Sequence, residues 1–80
     1  MIDENTTIYF VIEMFDGVLN NIHPCTSLEE VKKTFEKAVD NECTYEQYLA
    51  GESDDILSSG HHDGTQVWEF TIKEMLKKRD

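Results

Sequence analysis

The feature that most constrains this chain is a dipeptide, Asp16-Gly17, standing directly behind a run of β-branched and aromatic residues from Thr7 to Phe15. Asp-Gly tolerates the positive φ angles of a two-residue hairpin turn, and the run before it has strand composition, so a β-hairpin opens the fold. Closing the turn pairs Phe15 with Val18 and Met14 with Leu19. Regular alternation then puts Phe10, Ile12, Met14 and Leu19 on one face and Tyr9, Val11, Phe15, Val18 and Ile22 on the other. Both faces are apolar. A strand of that kind is central or covered twice, so the first strand should have a neighbour besides its hairpin partner; the alternative is a partly exposed face awaiting a protein partner.

Pro24 lacks a ladder donor and biases His23 toward extended geometry, which ends the second strand at His23-Pro24-Cys25. Ser27-Leu28-Glu29-Glu30 then has the form of a capping box, and Leu28, Val31, Phe35, Ala38 and Val39 recur at helical spacing, with Glu29 and Lys33 as an i,i+4 pair. A helix over residues 28 to 39 follows, stopped by Asp40-Asn41. Thr44-Tyr45-Glu46-Gln47 offers a second capping box for a short helix through Ala50, with Gly51 behind it. Beyond a polar stretch, Asp63-Gly64 repeats the turn signal and Thr65 to Thr71 resumes strand composition. A second hairpin is therefore expected, with His62 opposite Thr65, Leu57 facing Phe70 and Ser59 facing Trp68, and with Trp68 and Phe70 turned to the core. Ile72, Met75 and Leu76 suit a short final helix capped by Thr71 and Glu74, against continued strand to Met75. These elements predict one α+β domain over residues 1 to 80: a small antiparallel sheet built from two hairpins, with one main helix and one or two short helices packed mostly on one face.

Charge is segregated along the chain. Of 80 residues, 17 are acidic and 7 are Lys or Arg, a formal net charge of −10 that opposes direct binding to nucleic acid or to an anionic membrane. Residues 1 to 31 hold no Lys or Arg, and neither do residues 38 to 72, where the acids are Asp40, Glu42, Glu46, Glu52, Asp54, Asp55, Asp63 and Glu69. Acid-only stretches of that length predict a negative face, and such a face attracts basic partners. Asp40, Glu42, Glu46, Glu52, Asp54, Asp55 and Asp63, with the adjoining Tyr45 and Tyr48, are the candidate partner-binding residues.

The residues able to hold a transition metal are His23, Cys25, Cys43, His61, His62 and Asp63, but their spacing matches no paired-ligand template. No metal and no cofactor is expected. Asp54-Asp55 lacks a nucleophile or phosphate loop to complete a hydrolytic site, and Cys25, although it precedes a helix N-terminus, reads as a small apolar plug. Two cysteines are too few for a secreted disulfide framework, the start Met1-Ile2-Asp3-Glu4 is unlike a signal peptide, and no run reaches the ~20 apolar residues of a membrane span, so a cytoplasmic location is expected.

Small size, strong acidity and the lack of a catalytic constellation are shared with compact inhibitor proteins of phages and mobile elements, among them nucleic-acid mimics and anti-CRISPR proteins. The likeness is one of composition and rests on no motif. It implies a non-enzymatic interaction module that binds a basic surface, on a nucleic-acid-handling protein. The rival readings are a small metal- or ligand-binding protein using the His and Cys set, and an accessory subunit of a larger assembly.

Overall fold

The computed structural model describes residues 3 to 77. Strand β1 (Thr7–Phe15) turns through Asp16 and Gly17, both at positive φ (52° and 78°), into β2 (Val18–Cys25). Helix α1 (Leu28–Ala38) and two single-turn helices, α2 (Tyr45–Leu49) and α3 (Ser53–Leu57), precede β3 (Gln66–Thr71) and the short α4 (Ile72–Lys77). The three strands form one antiparallel sheet in the order β2-β1-β3, so β1 is central and has the second neighbour that its two apolar faces demand. The α+β class and the antiparallel sheet are those expected from sequence.

Helix starts and stops follow the side-chain chemistry closely. Ser27 accepts from the Glu30 amide, but the Glu30 carboxylate reaches the amide of Thr26, not that of Ser27, so the reciprocal half of the box lies one residue further back. Thr44 and Gln47 make a full capping box on α2, and Thr71 and Glu74 exchange the same two bonds at the head of α4, where helix prevails over continued strand. Asp40 and Asn41 end α1 at positive φ.

The core lies between α1 and the odd-numbered face of the sheet. Val31, Phe35 and Ala38 meet Val11 and Cys25, with Val39, Cys43, Tyr45 and Leu57 closing the cluster and Tyr9, Tyr48 and Val67 at its margin. Phe35 is fully buried, its ring 6.1 Å from that of Tyr45 and 5.1 Å from that of Tyr48. Leu28, expected on the buried stripe, is exposed at the first turn, beyond the end of the sheet contact.

Other expectations are overturned. The second hairpin does not form: Thr65 donates its amide to the His62 carbonyl, so a turn closes at Asp63-Gly64, but the chain ahead of it is α3. Asp54 and Asp55 sit in the first turn of α3, where acids suit the helix dipole, and Leu57 is buried in the helix-side core; it does not face Phe70. β3 pairs with β1 instead, Val11 opposite Val67 and Phe10 opposite Trp68. The face of the hairpin also changes past a β-bulge. Asn20 is unpaired, Glu13 lies opposite Asn21, and Ile22 lies opposite Ile12 rather than Val11, which moves Ile22 to the side of the sheet away from α1.

That far side carries the rungs Pro24–Phe10–Trp68 and Ile22–Ile12–Gln66. Trp68 is 50% exposed, Ile22 47% and Leu19 54%, whereas Val11 on the opposite face is 0%. Trp68 is thus a surface residue and not the core residue the sequence predicts. α1, on the other side, is the helix that packs across β1 and β2.

Candidate functional site

The carboxylates singled out from sequence lie on the helix layer and its connecting turns. Asp40 follows the C-cap of α1, Glu42 lies in the same turn, Glu46 projects from α2, Glu52 precedes α3, Asp54 and Asp55 open it, and Asp63 lies in the turn before β3; all seven are exposed. Glu46 pairs with Lys32 across α1 and α2 at 3.4 Å, and Asp40 Oδ2 lies 3.0 Å from His62 Nε2. Glu42, Glu52, Asp54, Asp55 and Asp63 have no ion pair among the described residues. Their charge is felt beneath them: burial, then Glu52 and Glu36, pushes the Cys43 thiol above its ordinary pKa, and burial followed by Glu69 does the same to the Tyr45 phenol.

The two tyrosines do not join this surface. Tyr45 is 8% exposed and stacks on Tyr48 at 6.0 Å, both rings against Phe35. The Tyr48 hydroxyl accepts from the Val67 amide at 2.9 Å and donates to the Val67 carbonyl at 3.1 Å, so it clamps the outer edge of β3. Their aromatic character is spent on packing, which the neighbouring Glu46 and Glu52 in the sequence conceal.

The His and Cys set is dispersed. His23 pairs with Glu13 at 2.7 Å on the helix side of the hairpin, beside a depression of about 320 Å3 that Thr34, Lys37 and Ala38 also line. His61 pairs with Asp16 of the first turn, and that hydrogen bond, more than the simple attraction of the charge, raises the pKa of its imidazole. His62 is buried against Asp40, and its Nδ1 has no hydrogen-bond partner among the described residues. Cys25 is a buried plug whose thiol lies 3.7 Å from the Thr34 hydroxyl and 3.7 Å from the His23 carbonyl. Among the described residues no group of three His, Cys, Asp or Glu side chains is close enough to hold a metal ion. No described helix is long and apolar enough to cross a membrane.

Comparison with protein-family models, with curated proteins and with solved structures finds no match to this chain. Its surface chemistry is therefore what points to function. The acid layer was legible in the sequence, and a partly exposed strand face stood there only as the alternative; the structure shows that face to be the even-numbered side of β1, away from α1. The apolar character of both strand faces was visible, but which one a helix covers depends on the bulge at Asn20 and on β3 docking alongside β1.

Proposed function

We propose that the protein is a non-enzymatic interaction module whose acid layer, from Asp40 to Asp63, binds a basic surface on a nucleic-acid-handling protein. The observation that carries this reading is the set of five exposed carboxylates, Glu42, Glu52, Asp54, Asp55 and Asp63, that have no cationic partner among the described residues and lie in a stretch of chain without any Lys or Arg. Carboxylates held on short helices and tight turns are partly ordered before binding, which lowers the entropy lost when a cationic surface docks. With a Debye length of about 8 Å at physiological salt, the layer acts mainly at close approach, raising encounter rate and selecting against acidic partners. A basic groove that accommodates nucleic acid has the complementary charge, so occupation by this layer would exclude the nucleic acid.

The test is charge reversal of Glu46, Glu52, Asp54 and Asp55 to Lys. Each reversal adds two charges, so the formal net charge moves from −10 to −2. Asp54 and Asp55 stabilise the start of α3, and reversing them costs ~0.3–1 kcal/mol each, so far-UV circular dichroism and a denaturation curve accompany the binding assay. The immobilised parent, challenged with lysate of its own cell, should capture a basic protein at low salt, release it at high salt, and lose it to competing DNA or RNA. The folded reversal variant should not capture it. Equal capture by parent and variant at matched salt refutes the reading.

A further inference from the structure

The far face of the sheet is free of charge in a chain where 24 of 80 residues are Asp, Glu, Lys or Arg. Neither the Pro24–Phe10–Trp68 rung nor the Ile22–Ile12–Gln66 rung carries an ionisable side chain, and the acidic residues of the strands, Glu13 of β1 and Glu69 of β3, fall on the helix side. Its polar atoms also satisfy one another. The Trp68 indole N–H donates to Gln66 Oε1 at 2.8 Å, and the Gln66 amide N–H2 donates to the Gly64 carbonyl. Removing water from this face leaves the Trp68 indole N–H and one Gln66 N–H satisfied, and only the second Gln66 amide N–H in need of a partner.

We propose that the face is covered by the same face of a second copy, giving a two-fold, sheet-on-sheet dimer with an acid layer on each outer surface. An uncharged, largely apolar sheet face carries nothing that repels its own copy, as an isologous interface requires. Two sheets pack with inner faces ~10 Å apart, and each acid layer lies a further helix diameter of ~10 Å beyond its own sheet. The two acid layers then stand about 30 Å apart, several Debye lengths of ~8 Å, so the charge of −10 on each copy does not oppose this arrangement as it would any contact through the helix side. Trp68, Ile22 and Leu19, each about half exposed, with the exposed Pro24 and Gln66 and the partly exposed Phe10 and Ile12, offer about 500 Å2 per copy. The ~1,000 Å2 buried in total is at the lower bound for a specific interface, the size class of weak, reversible association.

Trp68 is the sole tryptophan and reports on the face directly. Sedimentation velocity from low-micromolar to near-millimolar protein should show the mass doubling, with Trp68 emission shifting to the blue over the same range and high salt leaving the dimer intact. Trp68→Lys and Ile22→Lys lie on different edge strands at half-exposed positions, so both should keep the parent circular dichroism spectrum while weakening the dimer at least about tenfold. A parent that stays monomeric at near-millimolar concentration overturns the proposal and leaves the face to a different protein. A dimer that survives both folded variants, or that dissociates as salt rises, also overturns it. Either result leaves the charge-reversal test of the acid layer unaffected.

Discussion

Replacing Tyr48 with Phe removes one oxygen and keeps the ring. That oxygen accepts from the Val67 amide and donates to the Val67 carbonyl, and both bonds are made at an outer strand whose other side is already paired with β1. The ring remains packed against Phe35 and Tyr45, so no cavity term enters. Two hydrogen bonds at a net ~0.5–1.5 kcal/mol each bracket the loss, and because Val67 is half-buried, water replaces part of what is removed. The expected destabilisation is about 1–2 kcal/mol. For a chain of this size it moves the urea midpoint down by about 1 M with the slope unchanged. Amide exchange at Val67 should accelerate with it. The reasoning fails if stability stays within about 0.3 kcal/mol of the parent while capture of a basic partner drops. The hydroxyl would then be a binding group and not the clamp on β3.

Phe35→Ala should cost about 3–5 kcal/mol, because a fully buried ring held by two tyrosines leaves a cavity that the sheet cannot fill; an unchanged denaturation midpoint would remove Phe35 from the core. His61 should titrate above its unperturbed pKa of about 6.5, and Asp16→Asn should return it there, as followed by its ring proton shifts in NMR. Since the folded-state pKa is the raised one, the pair contributes stability while the ring is protonated, and that contribution fades as pH climbs through the raised value. An equal titration midpoint in parent and Asp16→Asn would show that the two side chains do not pair in solution.

What was legible in the sequence is what local chemistry decides. The Asp16-Gly17 turn, the Ser27 and Thr44 caps, and the stop at Asp40-Asn41 each involve groups within a few residues of one another, so their partners could be named from spacing. α3 escaped because one turn of helix has no period to display, and its signal, Asp54-Asp55 ahead of Ile56-Leu57, reads equally as a solvated loop. The partner of β3 was chosen by distance in space: a turn at Asp63-Gly64 was correctly placed, yet β3 gained more by pairing with the open side of β1 than a local hairpin offered. The acid layer could be read because exposure follows from charge. The role of Tyr48 could not, since a tyrosine hydroxyl has suitable partners anywhere along a strand edge.

The bulge in β2 means that this hairpin counts in two parities. Starting from the turn, Phe15 opposite Val18 and Met14 opposite Leu19 set one phase; the far end, with His23 on the helix side near Glu13 and Cys25 under α1, needs the opposite one. Asn20 absorbs the mismatch, its side chain tied back to Glu13 at 3.0 Å. Because Asn21 follows, deleting either asparagine yields the same shorter chain, and that chain can close a regular ladder with every later pair conserved. Lengthening the strand by one residue has no solution that conserves the pairs without a second bulge: with the one bulge kept, His23 and Cys25 would move out onto the uncharged face, and a regular ladder would keep the faces only by sliding every later pair two residues along β1. Strand β2 therefore tolerates loss more readily than gain, the reverse of an ordinary surface loop.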